Sequence, residues 1–135
     1  MIFTGRVTDQ DLASLMASAL ALTYVSYFEG FGIPILEAFR CDTPVITSNV
    51  TSMPEVAGNA ALLTDPFSVS SIADAMTKMA SDKDFRQALI TEGRRQQAKF
   101  SWEQTAGKLW ECVEKAVENE LGLGVRSWGL KKAEV

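Results

Sequence analysis

The 135-residue sequence contains no histidine and only two cysteines, Cys41 and Cys112, which lie far apart. With neither a second cysteine pair nor an imidazole, no metal-ligand spacing and no disulfide framework can be read from it, and each cysteine is expected to be a buried, reduced thiol. An excess of positive charge is also missing. Thirteen Lys and Arg stand against 17 Asp and Glu, a net charge of -4, so there is no field to gather polyanions, which argues against nucleic acid and anionic membrane surfaces as partners. No apolar run approaches the roughly 20 residues that span a bilayer, and Met1-Ile2-Phe3 leads into a strand-like segment without a signal-peptide pattern. The expectation is a cytoplasmic protein with no transmembrane segment. Internal repeats and low-complexity stretches are absent as well. What the chain does have is the length of one domain and 47% hydrophobic residues, enough to cover a sheet on both faces.

The order of the apolar segments points to an α/β fold. Residues 1–7 are short and apolar, and Thr8-Asp9-Gln10-Asp11 has the capping hydroxyl and early acids of a helix start. A helix to about residue 20 would place Leu12, Leu15, Met16 and Ala19 on one face, and residues 21–27 are again strand-like. After a loop over residues 28–33, Pro34 suits a first helical turn, with Ile35, Leu36, Ala38 and Phe39 as its apolar side and an end near Cys41-Asp42. Residues 43–47 form a third strand, with Pro44 at its start. Ser52 and Glu55 have capping-box spacing for a short helix closed by Gly58, and residues 60–64 make a fourth strand. Three helices follow over about 70–80, 82–100 and 101–120, the last with Ser101 and Gln104 as a capping pair. The expected fold is a doubly wound, Rossmann-like parallel sheet with right-handed crossovers. Four strands are fewer than is usual for such sheets, so its first strands are expected to be missing. Residues 1–120 form the expected domain, and residues 121–135, with three glycines and no clear period, are a tail of uncertain order.

The chemistry is expected where a strand hands over to a helix, because open α/β sheets bind ligands outside the carboxyl ends of their strands. Residues 29–38, EGFGIPILEA, occupy such a place. Gly30 and Gly32 let the backbone bend and a ligand approach closely, and the amides ahead of Pro34 lie at a helix start, where free N–H groups and the helix dipole favour a phosphate or diphosphate. Glu29 and Glu37 are too negative to hold phosphate, but each can accept hydrogen bonds from vicinal hydroxyls. Hydroxyls on both sides of a diphosphate describe a nucleotide sugar. Spacing alone leaves a plainer alternative open, a Gly-rich connector followed by a Glu that complements the helix dipole.

A wider set of segments adds to this reading. IFTGRVTDQDL precedes the loop, and DTPVITSNVTSMPEVAGNAALLTDP and FSWEQTA follow it, with the two glutamates separated by seven residues. In this order they resemble the retaining glycosyltransferases of the two-domain GT-B fold, family 4 or group 1, over roughly residues 2–117. The resemblance implies that the chain is an incomplete C-terminal, donor-binding half of that fold, lacking an N-terminal acceptor domain. It implies that Glu29, the candidate catalytic carboxylate, contacts donor-sugar hydroxyls near the anomeric carbon and that Glu37 contacts the ribose. The amides of Phe31, Gly32 and Ile33, beside Gly30, would face sugar and diphosphate, and Gly5-Arg6-Val7 would bracket the base, although Arg6 reads equally as a solvated loop residue. The implied substrate is a nucleotide-diphosphate sugar with no required metal or other cofactor. The implied setting is cell-surface polysaccharide or a related glycan pathway, and peripheral membrane contact of the whole enzyme is compatible with it.

Two departures from the family pattern are local: Val25-Ser26 stands where Pro-Ser is frequent, and Asp42 where Gly often precedes Thr43-Pro44. The basic pair that neutralises the diphosphate in the family would lie upstream. Lys78, Lys83, Arg86, Arg94 and Arg95 belong to the later helices, where a solvated face is expected. Alone, the chain is expected to bind donor weakly and turn nothing over. The other class of function compatible with the same loop is a non-catalytic phosphate- or nucleotide-binding module, or an oligomerisation module using the exposed sheet edge.

Overall fold

A computed structural model of the chain describes residues 1–121, and side chains through residue 117. The 121–135 tail expected from sequence lies almost wholly outside the described residues. The elements run α1 Asp9–Ser18, β1 Leu22–Tyr24, α2 Ile33–Arg40, β2 Val45–Ser48, α3 Met53–Ala57, β3 Ala61–Thr64, α4 Val69–Ser81, α5 Lys83–Gln97 and α6 Trp102–Leu121. They fall into two compact units, Met1–Lys99 and a second that begins at Phe100 and contains α6.

In the first unit the strands form one parallel sheet in the order β1-β2-β3, with Leu22 opposite Val45 and Val45 opposite Ala61. The central strand is buried along its whole length, as expected for a parallel sheet with helices on both faces. Alternation along β2 assigns the two faces. Val45 joins Ile35, Ala38 and Phe39 of α2 and Met53, Val56 and Ala57 of α3 in one cluster, while Ile46 joins Ala75 and Met79 of α4 and Leu89 of α5 in another. The last two residues of β2 are polar and fully buried because each has a partner. Thr47 Oγ1 donates to the Tyr24 carbonyl at 2.9 Å and Ser48 Oγ to the Ser26 carbonyl at 2.6 Å. These bonds extend the three-residue β1 pairing and fix the chain where it leaves the sheet.

Two helix starts carry the capping read from sequence: Thr8 accepts from the Asp11 amide and Ser101 from the Gln104 amide. Asp82, not singled out from sequence, caps α5 in the same way by accepting from the Phe85 amide. Close helix packing explains two glycines in the first unit. A Cβ on Gly93 would come 3.0 Å from the Phe39 ring, so the missing side chain lets α5 approach α2. A Cβ on Gly58, whose φ is +54°, would stand 2.7 Å from Gln96 Oε1. Gln96 is itself buried and donates to the Val56 carbonyl at the end of α3.

The structure corrects several expectations. Residues 1–7 form no strand, and Met1, Ile2 and Phe3 are exposed, so the described sheet has three strands and not four. β1 is paired through β2 alone, so its outer edge stays open and residues 1–7 do not fill it. Of the four residues expected on the buried face of α1, Met16 is buried, whereas Leu15 is exposed. Ser52 stands at the N-cap of α3 but makes no side-chain cap. Its backbone is already helical, and its hydroxyl donates to the Glu29 carbonyl at 2.9 Å, which takes the group a capping box would use. Both cysteines are free, but Cys41 is only half-buried and Cys112 is exposed on α6. No helix among the described residues is long and apolar enough to cross a membrane.

Candidate functional site

The loop over residues 25–32 joins β1 to α2 at the carboxyl edge of the sheet. It is held from the neighbouring β2–α3 connection: the Glu29 amide donates to Thr51 Oγ1 at 3.4 Å, and Ser52 donates to the Glu29 carbonyl. Thr51 has a φ of +57°, a conformation unusual for a β-branched residue, at the point where this brace is made. Glu29 is thus fixed through its own backbone, and its carboxylate has a further contact. The Tyr24 phenol is pushed above its ordinary pKa by burial and then by its hydrogen bond to the Glu29 carboxylate, against a smaller opposite effect of Ser26. Tyr24 sits at the end of β1, so its phenol and the Glu29 carboxylate are neighbours at the sheet edge.

The two loop glycines do different work. Gly32 is the N-cap of α2, with φ +102° and ψ +46°, and supplies no side-chain cap. Pro34 occupies the first turn. Of the first three residues of α2, Pro34 has no N–H and the Ile35 amide donates to the Gly32 carbonyl at 3.0 Å, so the α2 start presents the Ile33 amide and the positive end of the dipole at the sheet edge. Gly32 is buried, and a Cβ there would stand 3.1 Å from Ile35 Cδ1. Gly30 has no atom within 4 Å of such a Cβ, so its role is not packing.

Glu29, Gly30, Phe31, Gly32 and Ile33 are contiguous on this edge, with Phe31 and Ile33 exposed and Glu29 half-buried. Glu37 follows one turn into α2, also half-buried. Glu29 thus precedes the start of α2 and Glu37 lies about one turn inside the helix. Gly5, Arg6 and Val7 precede α1; Gly5 has φ +63°, and Arg6 is exposed.

Four of the five later cations singled out in the sequence are engaged locally. Arg94 forms a bidentate pair with Asp42, both contacts at 2.7 Å, and holds that carboxyl below its ordinary range. Arg95 pairs with Glu92, Arg86 donates to the Met79 and Ala80 carbonyls, and the Lys78 ammonium lies 4.4 Å from the Phe85 ring centre. Sequence reading treated the Asp42-for-Gly departure as a local variant. Asp42 keeps the left-handed backbone, φ +55°, that favours glycine there, and Arg94 holds its side chain. The chain also contains two Asp-x-Asp triplets, Asp9–Asp11 and Asp82–Asp84, and both lie at helix starts. Thr8 Oγ1 donates to Asp11 Oδ2 at 2.7 Å, and Asp82 caps α5, so these acids serve their own helices.

Sequence reasoning missed Tyr24, Thr51 and Ser52 as supports of the loop. The only signal for them was their position, at the end of β1 and just after β2.

Comparisons with known proteins identify the family. The family model for "Glycosyl transferases group 1" matches residues 1–96, more than half of the chain. O-antigen chain mannosyltransferase B of Escherichia coli is 45% identical over 101 residues, covering 75% of this chain and 26% of that protein. The serotype-specific mannosyltransferase WbdA of the same species is 42% identical over 106 residues, covering 78% of this chain and 13% of that protein. Among solved structures, sucrose-phosphate synthase from Thermosynechococcus elongatus superposes with a TM-score of 0.72 at 28% identity, over 85% of this chain and 30% of that one. The chain thus spans about a quarter or less of the length of these curated relatives. With the family's segments in order, its parallel sheet and its loop at the carboxyl edge, the chain belongs to the group 1 glycosyl transferases of the GT-B fold.

Proposed function

We propose that this chain holds the sugar donor in a retaining glycosyltransferase, with a nucleotide-activated mannose as substrate and a hydroxyl group as acceptor. The observation that carries the reading is the start of α2: an N-cap glycine at φ +102° with no side-chain cap, flanked by Glu29 and Glu37. Uncapped amides suit the diphosphate, and carboxylates on either side suit hydroxyls of sugar and ribose. In this reading Glu29 acts at the sugar, near the anomeric carbon, and Glu37 holds the ribose. Phe31, Gly32 and Ile33 offer amides to the diphosphate, and Gly5, Arg6 and Val7 bracket the base. The relatives' names supply the sugar, since both Escherichia coli proteins are mannosyltransferases.

Leaving-group charge is met by loop amides and the helix dipole, and no metal is required. Arg94 and Arg95 are committed to Asp42 and Glu92, so further cationic neutralisation comes from outside this chain, as does an acceptor domain. The whole enzyme is cytoplasmic and works in polysaccharide synthesis.

Saturation-transfer NMR of the chain with UDP, GDP and ADP sugars tests the reading. Wild type should favour a nucleotide sugar over inorganic phosphate, and Glu37→Ala should weaken it about 10- to 100-fold, the loss of one charge-assisted contact of about 1.5–3 kcal/mol. Phosphate binding that strengthens in Glu37→Ala, with no preference for nucleotide sugars, would instead identify a plain phosphate module.

A further inference from the structure

Beside the candidate donor loop stands a feature that donor binding does not use. Tyr27 and Phe67 stack with ring centres 5.0 Å apart and planes at 30°, yet they remain 65% and 73% exposed. They reach each other from the carboxyl ends of β1 and β3, across the central strand, and Tyr27 lies two residues before Glu29.

Neither ring sits on a loose loop tip. The Ser26 carbonyl next to Tyr27 is held by Ser48 Oγ at 2.6 Å. The Phe67 amide donates to Asp65 Oδ1 at 2.9 Å, and the Asp65 amide donates to Ser71 Oγ, which in turn pairs with Thr64 Oγ1 at 2.7 Å. The fold therefore spends a braced turn and a buried strand end on holding two rings in water, where apolar surface is disfavoured.

The surroundings define what such a shelf can take. Around Phe67 stand hydroxyls and a carboxylate, Ser68, Ser70 and Asp65, with Ser68 and Ser70 hydroxyls 3.0 Å apart. Between Arg6 and Lys78 the sequence has a single Lys or Arg, Arg40, at the far end of α2. An aromatic face whose chain neighbours at Phe67 are hydroxyls and a carboxylate fits a neutral polyhydroxylated ring: the C–H face lies on the aromatic surface and the hydroxyls reach those oxygens. A phosphorylated ligand would gain nothing there.

We propose that the Tyr27–Phe67 pair receives a pyranose unit of a neutral glycan acceptor and seats it beside the donor carboxylate Glu29. The inference rests on the donor reading given above and assigns the acceptor side of the same reaction to residues of this chain. Tyr27 and Phe67 are specificity residues, positioned to hold a sugar ring.

The test uses saturation-transfer NMR on the chain with two separate probes, an α-linked mannotriose and GDP-mannose. It compares wild type with Tyr27→Ala, Phe67→Ala and the ring-preserving Tyr27→Phe, each checked for folding by thermal melts. Mannotriose should bind wild type and Tyr27→Phe alike and weaken about tenfold in both alanine variants, while GDP-mannose binding stays unchanged. No mannotriose binding by wild type, or equal binding by the alanine variants, overturns the proposal. So does a parallel loss of GDP-mannose binding, which would make the pair a stacking surface for the nucleobase. If wild type binds mannotriose but no nucleotide sugar, it is the donor reading that fails, and the two failures are told apart.

Discussion

Replacing Gly32 by alanine separates the two glycines that look alike in sequence. At Gly32 the backbone has φ +102°, and an added Cβ would stand 3.1 Å from Ile35 Cδ1 and 3.8 Å from Met53 Cγ. A left-handed backbone costs an L-residue about 1–2 kcal/mol, rising to about 3 kcal/mol away from the centre of that region. The tip of Ile35 must also give by a few tenths of an ångström. The sum is about 1–3 kcal/mol, and for a unit of this size it lowers the melting temperature by about 5–20 °C. At Gly30 the same Cβ meets nothing within 4 Å, so Gly30→Ala should stay within about 0.5 kcal/mol of wild type. Thermal unfolding followed by circular dichroism reads both variants. If Gly32→Ala escapes the strain by turning its peptide, the α2 amides turn with it, and nucleotide-sugar binding is lost while the melt recovers. Equal melts and equal binding for the two variants would refute the reasoning, as would a larger loss at Gly30.

Other variants probe the supports of the site. Asp42 titrates below its ordinary value because Arg94 holds its ionised form; its contribution is fully present above the unfolded value near pH 4 and is lost as pH falls through the lowered folded value. Arg94→Ala should therefore cost a small amount of stability at neutral pH, small because the pair is exposed and screened by salt, and the difference from wild type should shrink to nothing as pH falls below about 4. Gln96→Ala leaves the Val56 carbonyl without its donor at the end of α3, and urea titration should show a loss of about 1–3 kcal/mol. The Tyr24 phenol is raised by burial and by Glu29, so its spectrophotometric titration lies above pH 10, and Glu29→Gln should bring it part of the way back. The stability carried by that shift is complete below about pH 10 and is lost as pH rises through the folded value.

The elements that sequence revealed best are those whose signals are local. Thr8 and Ser101 announce helix starts by hydroxyl chemistry within three residues, and each accepts the amide it should. The strand at Val45–Ser48 was visible because a central parallel strand is buried on both faces and reads as a nearly unbroken buried run. The loop from Glu29 was visible because glycine, proline and carboxylates fall together at a strand-to-helix handover.

Features decided by distant partners were not legible. Residues 1–3 have strand-like composition, yet they pair with no strand, although β1 keeps an open edge, and they stay exposed. Ser52 carries a capping pattern, yet the Glu29 carbonyl, 23 positions away, takes its hydroxyl. The difference between Gly30 and Gly32 lies in a dihedral angle, which composition does not encode. Tyr27 and Phe67 are 40 residues apart and meet only because β1 and β3 flank the same strand. On α6, Trp102, Leu109, Trp110, Val113 and Val117 form a helical apolar pattern and are nevertheless exposed, because periodicity marks a face and not what covers it.

Backbone amide shifts of the isotope-labelled chain, followed as a nucleotide sugar is added, test the central claim most directly. The account predicts that the amides of Gly30, Phe31, Gly32 and Ile33 move together and saturate with one affinity, with Glu37 following. Shifts confined to the basic side of α5, around Arg94 and Arg95, with the Glu29–Ile33 amides unmoved, would contradict it.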